Sequence, residues 1–216
     1  MFTNSLDIKL LIPLISPLIT IFLGILTIPF IDNIKNHYEK KKLINLLLSE
    51  IDDEIESISS IAKSSLKFID SINYYLNINR DISFNIIFPP EINIYSINKI
   101  LENHYTQITY EQRSTLKLIK STIIFLNDKS EKIKKDFHLV FDNKNKKDEK
   151  ILDFRQLEKD YIYALMGYRY NLIYISKNIK NLNSNLLFSK DISNDDAVKI
   201  QLEDLGLEKR IHDLLE

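Results

Sequence analysis

The sequence predicts an all-α protein: a single N-terminal transmembrane helix, then a cytoplasmic antiparallel helical bundle with long, coiled-coil-like helices. Three features carry this reading. Residues 10–31 form an uncharged run of 22 residues, which as a helix would cross a hydrocarbon core of roughly 30 Å. Beyond it, apolar residues recur in alternating steps of three and four, the pattern of helices that present one seam to a partner. Glycine is confined to Gly24, Gly167 and Gly206, whereas β-rich folds and phosphate-cradling loops use it freely at positive φ.

Within the apolar run, 15 of the 22 residues are Leu, Ile or Phe. Their insertion gain is roughly −4 to −9 kcal/mol before polar and proline penalties. Pro13 falls in the first turn and Pro29 in the last, where a missing N–H is tolerated; Pro17 bends the first third of the span. A cleaved signal peptide needs a basic start and a small-x-small site, but Asp7 accompanies Lys9 and no A-x-A follows. The run therefore reads as a retained anchor, with residues 1–9 as a short extracytoplasmic tail. Lys35, Lys40, Lys41 and Lys42 follow the span while only Lys9 precedes it. That bias puts the N-terminus outside and the body in the cytoplasm at the inner membrane, with Lys40, Lys41 and Lys42 at the lipid headgroups of the bilayer. Ser16, Thr20, Gly24 and Thr27 fall close to one helix face, a small, weakly polar stripe suited to contact between transmembrane helices.

The body, 32–216, follows in order. Ile44, Leu48, Ile51, Ile55, Ile58, Ala62, Ser65, Ile69, Ile72 and Leu76 make one seam and predict a long helix near 35–76. No Gly or Pro separates it from the span. Pro89 and Pro90 then forbid a regular helix. Phe84, Ile86, Ile87 and Phe88 there form an apolar loop that must pack on the bundle, pair with another chain or dip into the bilayer surface. Ser96 is placed to cap a short helix near 96–105, and Thr109 with Gln112 forms a capping box for a second long helix near 110–140. Its seam is Leu116, Ile119, Ile123, Leu126, Ser130, Ile133, Phe137 and Val140. After the polar stretch 142–150, a third long helix near 151–186 carries Leu157, Tyr161, Ala164, Tyr168, Leu172, Ile175, Ile179, Leu182 and Leu186. Ser193 or Asn194 caps a final helix near 194–215.

Composition and motifs exclude more chemistry than they suggest. A formal net charge of −1 supplies no global basic field, so no specific nucleic-acid partner is expected. The absence of cysteine removes disulfides, thiol nucleophiles and cysteine zinc sites. No Glu-x-x-His, H-E-x-x-H, P-loop, dinucleotide fingerprint or G-x-S-x-G elbow occurs. No catalytic residue, metal or cofactor is expected, and the protein is not read as an enzyme. Glu50, Asp52, Asp53, Glu54 and Glu56 are dispersed around a helix and read as a solvated face. Lys132, Lys134, Lys135, Lys144, Lys146 and Lys147, diluted by Asp136, Asp142, Asp148 and Glu149, read as a solvated tip rather than a phosphate or lipid contact.

The stretch 161–174 is richer. Tyr161 and Tyr168 lie in the seam, while Tyr163, Tyr170 and Tyr174 form an adjacent stripe beside Gly167. Buried hydroxyls need partners, and a mid-helix glycine costs about 1 kcal/mol unless close approach compensates. A ligand, a partner helix or a tyrosine-rich internal crossing would each supply this. The expectation is a membrane-anchored scaffold, sensor or accessory subunit that works through homo-oligomerisation or a protein partner. The alternative is a pore-forming effector of a bacterial toxin or antiviral defence system, whose bent spans oligomerise.

Overall fold

A computed structural model describes residues 8–78, 87–141, 148–179 and 192–215, with side chains from residue 20 onward apart from those of 26 and 179. Among the described residues the regular elements are all helical: α1 (Ile8–Asn77), α2 (Tyr95–Asn103), α3 (Tyr110–Phe141), α4 (Asp148–Ile179), α5 (Asn194–Asp204) and α6 (Ile211–Leu215), with single 3-10 turns at Tyr105–Gln107 and Glu208–Arg210. The chain divides into two compact units, Met1–Ile44 and Asn45–Glu216.

In the first unit, α1 carries the apolar run, and every described side chain from Thr20 to Lys35 is exposed. Among the described residues no helix is long and apolar enough to cross a membrane. The side chains of residues 10–19, the first part of the expected span, lie outside that description.

The second unit is a helical bundle built on α1, α3 and α4. Arg155 near the start of α4 donates to Asn73 at 2.8 Å, Arg169 to Ser59 at 2.9 Å, and Ser176 to Asp52 at 3.1 Å, so α4 runs antiparallel to α1. It also runs antiparallel to α3. The Phe141 and Phe154 rings lie 5.4 Å apart at one end, and Leu118 and Asn171 share a groove at the other. Hence α1 and α3 point the same way, which corrects the fully antiparallel arrangement expected from sequence. The reason is the return segment. Pro89 and Pro90 keep residues 87–94 out of any helix, and Asn127 on α3 serves both backbone groups of Ile92 at 2.9 Å. The chain is thereby led back along the bundle before α3 begins.

All eight predicted seam residues of α3 are buried. On α1 the burial is wider than one seam: Leu47, Ile61, Leu66, Phe68 and Tyr75 are buried beside Ile51, Ile58, Ala62, Ile69 and Ile72. A helix with two buried stripes serves more than one neighbour, as in a bundle rather than a two-stranded coil. Phe68, Phe137, Phe141 and Phe154 close one end, with ring centroids 4.9–6.1 Å apart and edge-on or tilted geometry that suits the aromatic quadrupole.

The caps divide between local and long-range devices. Thr109 Oγ1 accepts from Gln112 N–H at 3.2 Å while Gln112 Oε1 accepts from Thr109 N–H at 3.0 Å, a reciprocal capping box. Ser193 accepts from Asp196 N–H at the start of α5. Ser96, expected to cap α2, does not; the cap position is Ile94, with no side-chain bond. Glu50 on α1 instead accepts from Ser96 N–H at 2.9 Å and from its hydroxyl at 2.6 Å. A residue of the supposedly solvated acidic face thus caps another helix. The expected final helix, 194–215, breaks at Gly206, whose φ of +68° is open to glycine. Leu207 N–H to Leu202 O and Gly206 N–H to Glu203 O, at 2.8 and 3.0 Å, complete a Schellman termination of α5.

Candidate functional site

The buried face of α4 advances through Ile151, Phe154, Glu158, Tyr161, Leu165, Tyr168, Leu172 and Ile175. The seam expected from sequence ran instead through Leu157 and Ala164, which are only half-buried. The difference puts a carboxylate into a core position. Glu158 is fully buried, and neither carboxylate oxygen has a hydrogen-bond partner. Arg155, one turn earlier, gives its Nη1 to Asn73, and its Nε is buried without a partner.

Burial sets the electrostatics here. It pushes the Glu158 carboxyl up to about 7, against a lesser opposing influence from the Ser65 hydroxyl, because a desolvated carboxylate favours its neutral form. Glu54 on α1 rises to about 7 for the same reason, with the backbone of Asn93 working the other way. Tyr161 and Tyr168 are nearly inaccessible, and their hydroxyls lack partners. Desolvation raises both; at Tyr161 the nearby Ser130 hydroxyl opposes it, while the charges of Glu158 and Glu54 reinforce it, and at Tyr168 the charge of Glu54 does so. The two phenols and two carboxyls therefore share one electrostatic neighbourhood in the interior. Of this cluster only the two carboxyls lie near neutrality, and the phenols stay protonated; it presents no nucleophile paired with a base. Among the described residues no three His, Asp or Glu side chains converge as a metal site would require.

Next to this cluster, Arg169 is buried and satisfied. Its Nε donates to Ser59 at 2.9 Å, and its Nη1 bonds Gln201 and pairs with Asp204 at 2.8 Å. One guanidinium therefore fastens α1, α4 and α5 together. Tyr163 is half-buried and donates to Asp195 at 2.7 Å; burial first, and Asp195 second, pushes its hydroxyl up to about 12. Tyr170 and Tyr174 are half-buried on the same helix. Among the described residues of this chain nothing approaches Gly167 closely, since a Cβ there would meet no atom within 4 Å.

The remaining sequence-predicted residues are scattered. Thr20, Gly24 and Thr27 are exposed, with the Thr27 hydroxyl bonded to Leu23 O, and Ser16 lies outside the described side chains. Lys41 and Lys42 are exposed and Lys40 is half-buried. Of the apolar loop, Phe84 and Ile86 lie outside the described residues, and Ile87 is exposed. Phe88 packs on the bundle with its ring 5.4 Å from Phe137 and 5.8 Å from His138. Sequence pattern alone does not single out Glu158 or Arg169, although the step 154, 158, 161 points to the first. The fold and this interior define a helical bundle with a polar, partly unsatisfied core. The chain matches no protein-family model, no curated protein and no solved structure at a significant level.

Proposed function

We propose that the protein is a membrane-anchored helical scaffold or accessory subunit that works at the inner membrane through self-association or a protein partner. The observation carrying this reading is the apolar row of the first unit: Ile21, Phe22, Leu23, Ile25, Ile28, Phe30 and Ile31 are each 57–66% exposed. A contiguous apolar surface of this kind favours lipid or another apolar helix over water. The uncharged run that contains it is 22 residues long, and Lys40 to Lys42 follow where anionic headgroups would attract them.

The test is the double substitution Phe22→Lys with Ile25→Lys in the full chain. Each lysine near the centre of a span costs about 2.5–3.5 kcal/mol, so the pair offsets most of the insertion gain. Wild type is expected to remain with membranes after alkaline extraction, and the double variant to leave them. Equal retention of both would refute the anchor.

A further inference from the structure

Among the described residues, every buried side-chain nitrogen or oxygen without a hydrogen-bond partner belongs to one stretch of α4: Arg155 Nε, both Glu158 oxygens and the hydroxyls of Tyr161 and Tyr168. Buried polar atoms are paired in the great majority of cases, so their concentration here marks where the interior is least satisfied. The stretch is about four turns long and is fastened at both ends. At one end the Phe154 ring lies 5.4–6.1 Å from the rings of Phe68, Phe137 and Phe141, and Arg155 Nη1 holds Asn73 on α1. At the other, Arg169 binds Ser59, Gln201 and Asp204. Neither fastening includes Glu158.

We propose that this stretch is a proton-operated joint: with Glu158 protonated it lies closed in the bundle, and when Glu158 ionises it bows outward between its two fastenings and lets water reach the interior. The surroundings offer no counter-charge. From α1 come the Ser65 hydroxyl at Glu158 and the Glu54 carboxyl near Tyr161 and Tyr168. The polar side chains that α3 buries are Thr115 and Ser130, neither of them charged. From α5, Gln201 and Asp204 are given to Arg169 and Asp195 to Tyr163, and α6 buries only Leu214. Arg155, one turn before Glu158, is turned to Asn73 and bonds neither carboxylate oxygen. An ionised Glu158 is therefore a bare charge in the core, which water can satisfy. Because both fastenings are independent of this proton, hydration needs the bow and not unfolding of the bundle. The closed form holds the proton up to about 7, against the ordinary 4.5 once water reaches the carboxyl. Closed therefore binds more protons than open, and the open population rises with pH through that window, about 70-fold from pH 5 to pH 8.5.

The experiment places a reporter thiol in the joint of the full chain, which has no cysteine of its own. Ser65→Cys faces Glu158 from α1 and is buried. Thr115→Cys, in a separate chain, is buried on α3 past the Arg169 end of the joint and serves as the reference. Labelling by iodoacetamide is followed in detergent at pH 5 and pH 8.5, each rate divided by that of the urea-unfolded chain at the same pH, which removes the titration of the thiol itself. Labelling at Ser65→Cys is expected to quicken about 70-fold between the two pH values and to stay nearly flat in low urea, because a local opening exposes little surface. Adding Glu158→Gln should abolish the pH response, and adding Glu54→Gln should leave most of it. No response to pH, a urea slope as steep as that at Thr115→Cys, or a response that survives Glu158→Gln overturns the joint. Circular dichroism checks folding. If Ser65→Cys unfolds the bundle, Ser130→Cys on α3, beside the Tyr161 hydroxyl, carries the reporter; the pH and urea readings then decide the matter even where Glu158→Gln itself fails to fold.

Discussion

Substituting Glu158→Gln is expected to stabilise the protein above neutral pH and to change its stability by less than about 1 kcal/mol at pH 5. The folded protein holds this proton with a pKa near 7, against the ordinary 4.5. It therefore binds more protons than the unfolded chain between those values, and stability falls as pH rises through that window. Below about 4.5 both states are protonated and the burial is harmless; above about 7 a bare carboxylate sits in the core. At ~1.4 kcal/mol per tenfold the accumulated loss is roughly 3 kcal/mol. Glutamine keeps the shape and cannot ionise, so it removes the slope. Thermal unfolding of the full chain in detergent, followed by circular dichroism at pH 5 and pH 8.5, measures this. At ~2–4 °C per kcal/mol for a chain of this size, the variant should melt roughly 6–12 °C above wild type at pH 8.5. A variant no more stable than wild type at pH 8.5, or a wild type that gains stability from pH 5 to 8.5, would refute the reasoning.

The same logic extends to other positions. Glu54→Gln should shift stability in the same direction by less, since Glu54 is only half-buried, and its slope against pH in the same titration checks this. Gly206→Ala, at φ +68°, should cost about 1–2 kcal/mol because L-residues disfavour that conformation, read as a lower unfolding midpoint. Gly167→Ala should stabilise by about 1 kcal/mol, since its Cβ meets nothing within 4 Å; a lower midpoint would mean that the helix needs the glycine. Glu50→Ala leaves the buried Ser96 N–H without its acceptor, a loss of about 1–3 kcal/mol, seen as faster amide exchange at the start of α2.

Where periodicity and capping chemistry spoke in one voice, the sequence was readable. The α3 seam is apolar or small at every step, and Thr109 and Gln112 sit at the one spacing that lets each cap the other. Reading failed where a residue's type disagreed with its position. Glu158 occupies a heptad core site, so an apolar count steps past it to Leu157 and tilts the α4 seam by one position. Arg169 has no sequence pattern of its own, because its acceptors, Ser59 and Gln201, lie 110 and 32 residues away. Glu50 was read with its sequence neighbours, although its function as a cap depends on a helix 46 residues on. The shared direction of α1 and α3 was equally hidden. Two prolines announce a break but not which way the chain leaves it.

That shared direction has a consequence for synthesis. Several polar partners of α1 are made late: Ser59 meets Arg169 across 110 residues, Asp52 meets Ser176 across 124, and Leu66 meets Arg210 across 144. At about 5–20 residues per second, α1 waits roughly 5 to 30 s after its own translation before these contacts are made. During that interval two apolar stripes face water on a nascent chain. The stretch 52–66 of α1 thus gains these partners from α4 and from the turn at Arg210, more than a hundred residues further along the chain.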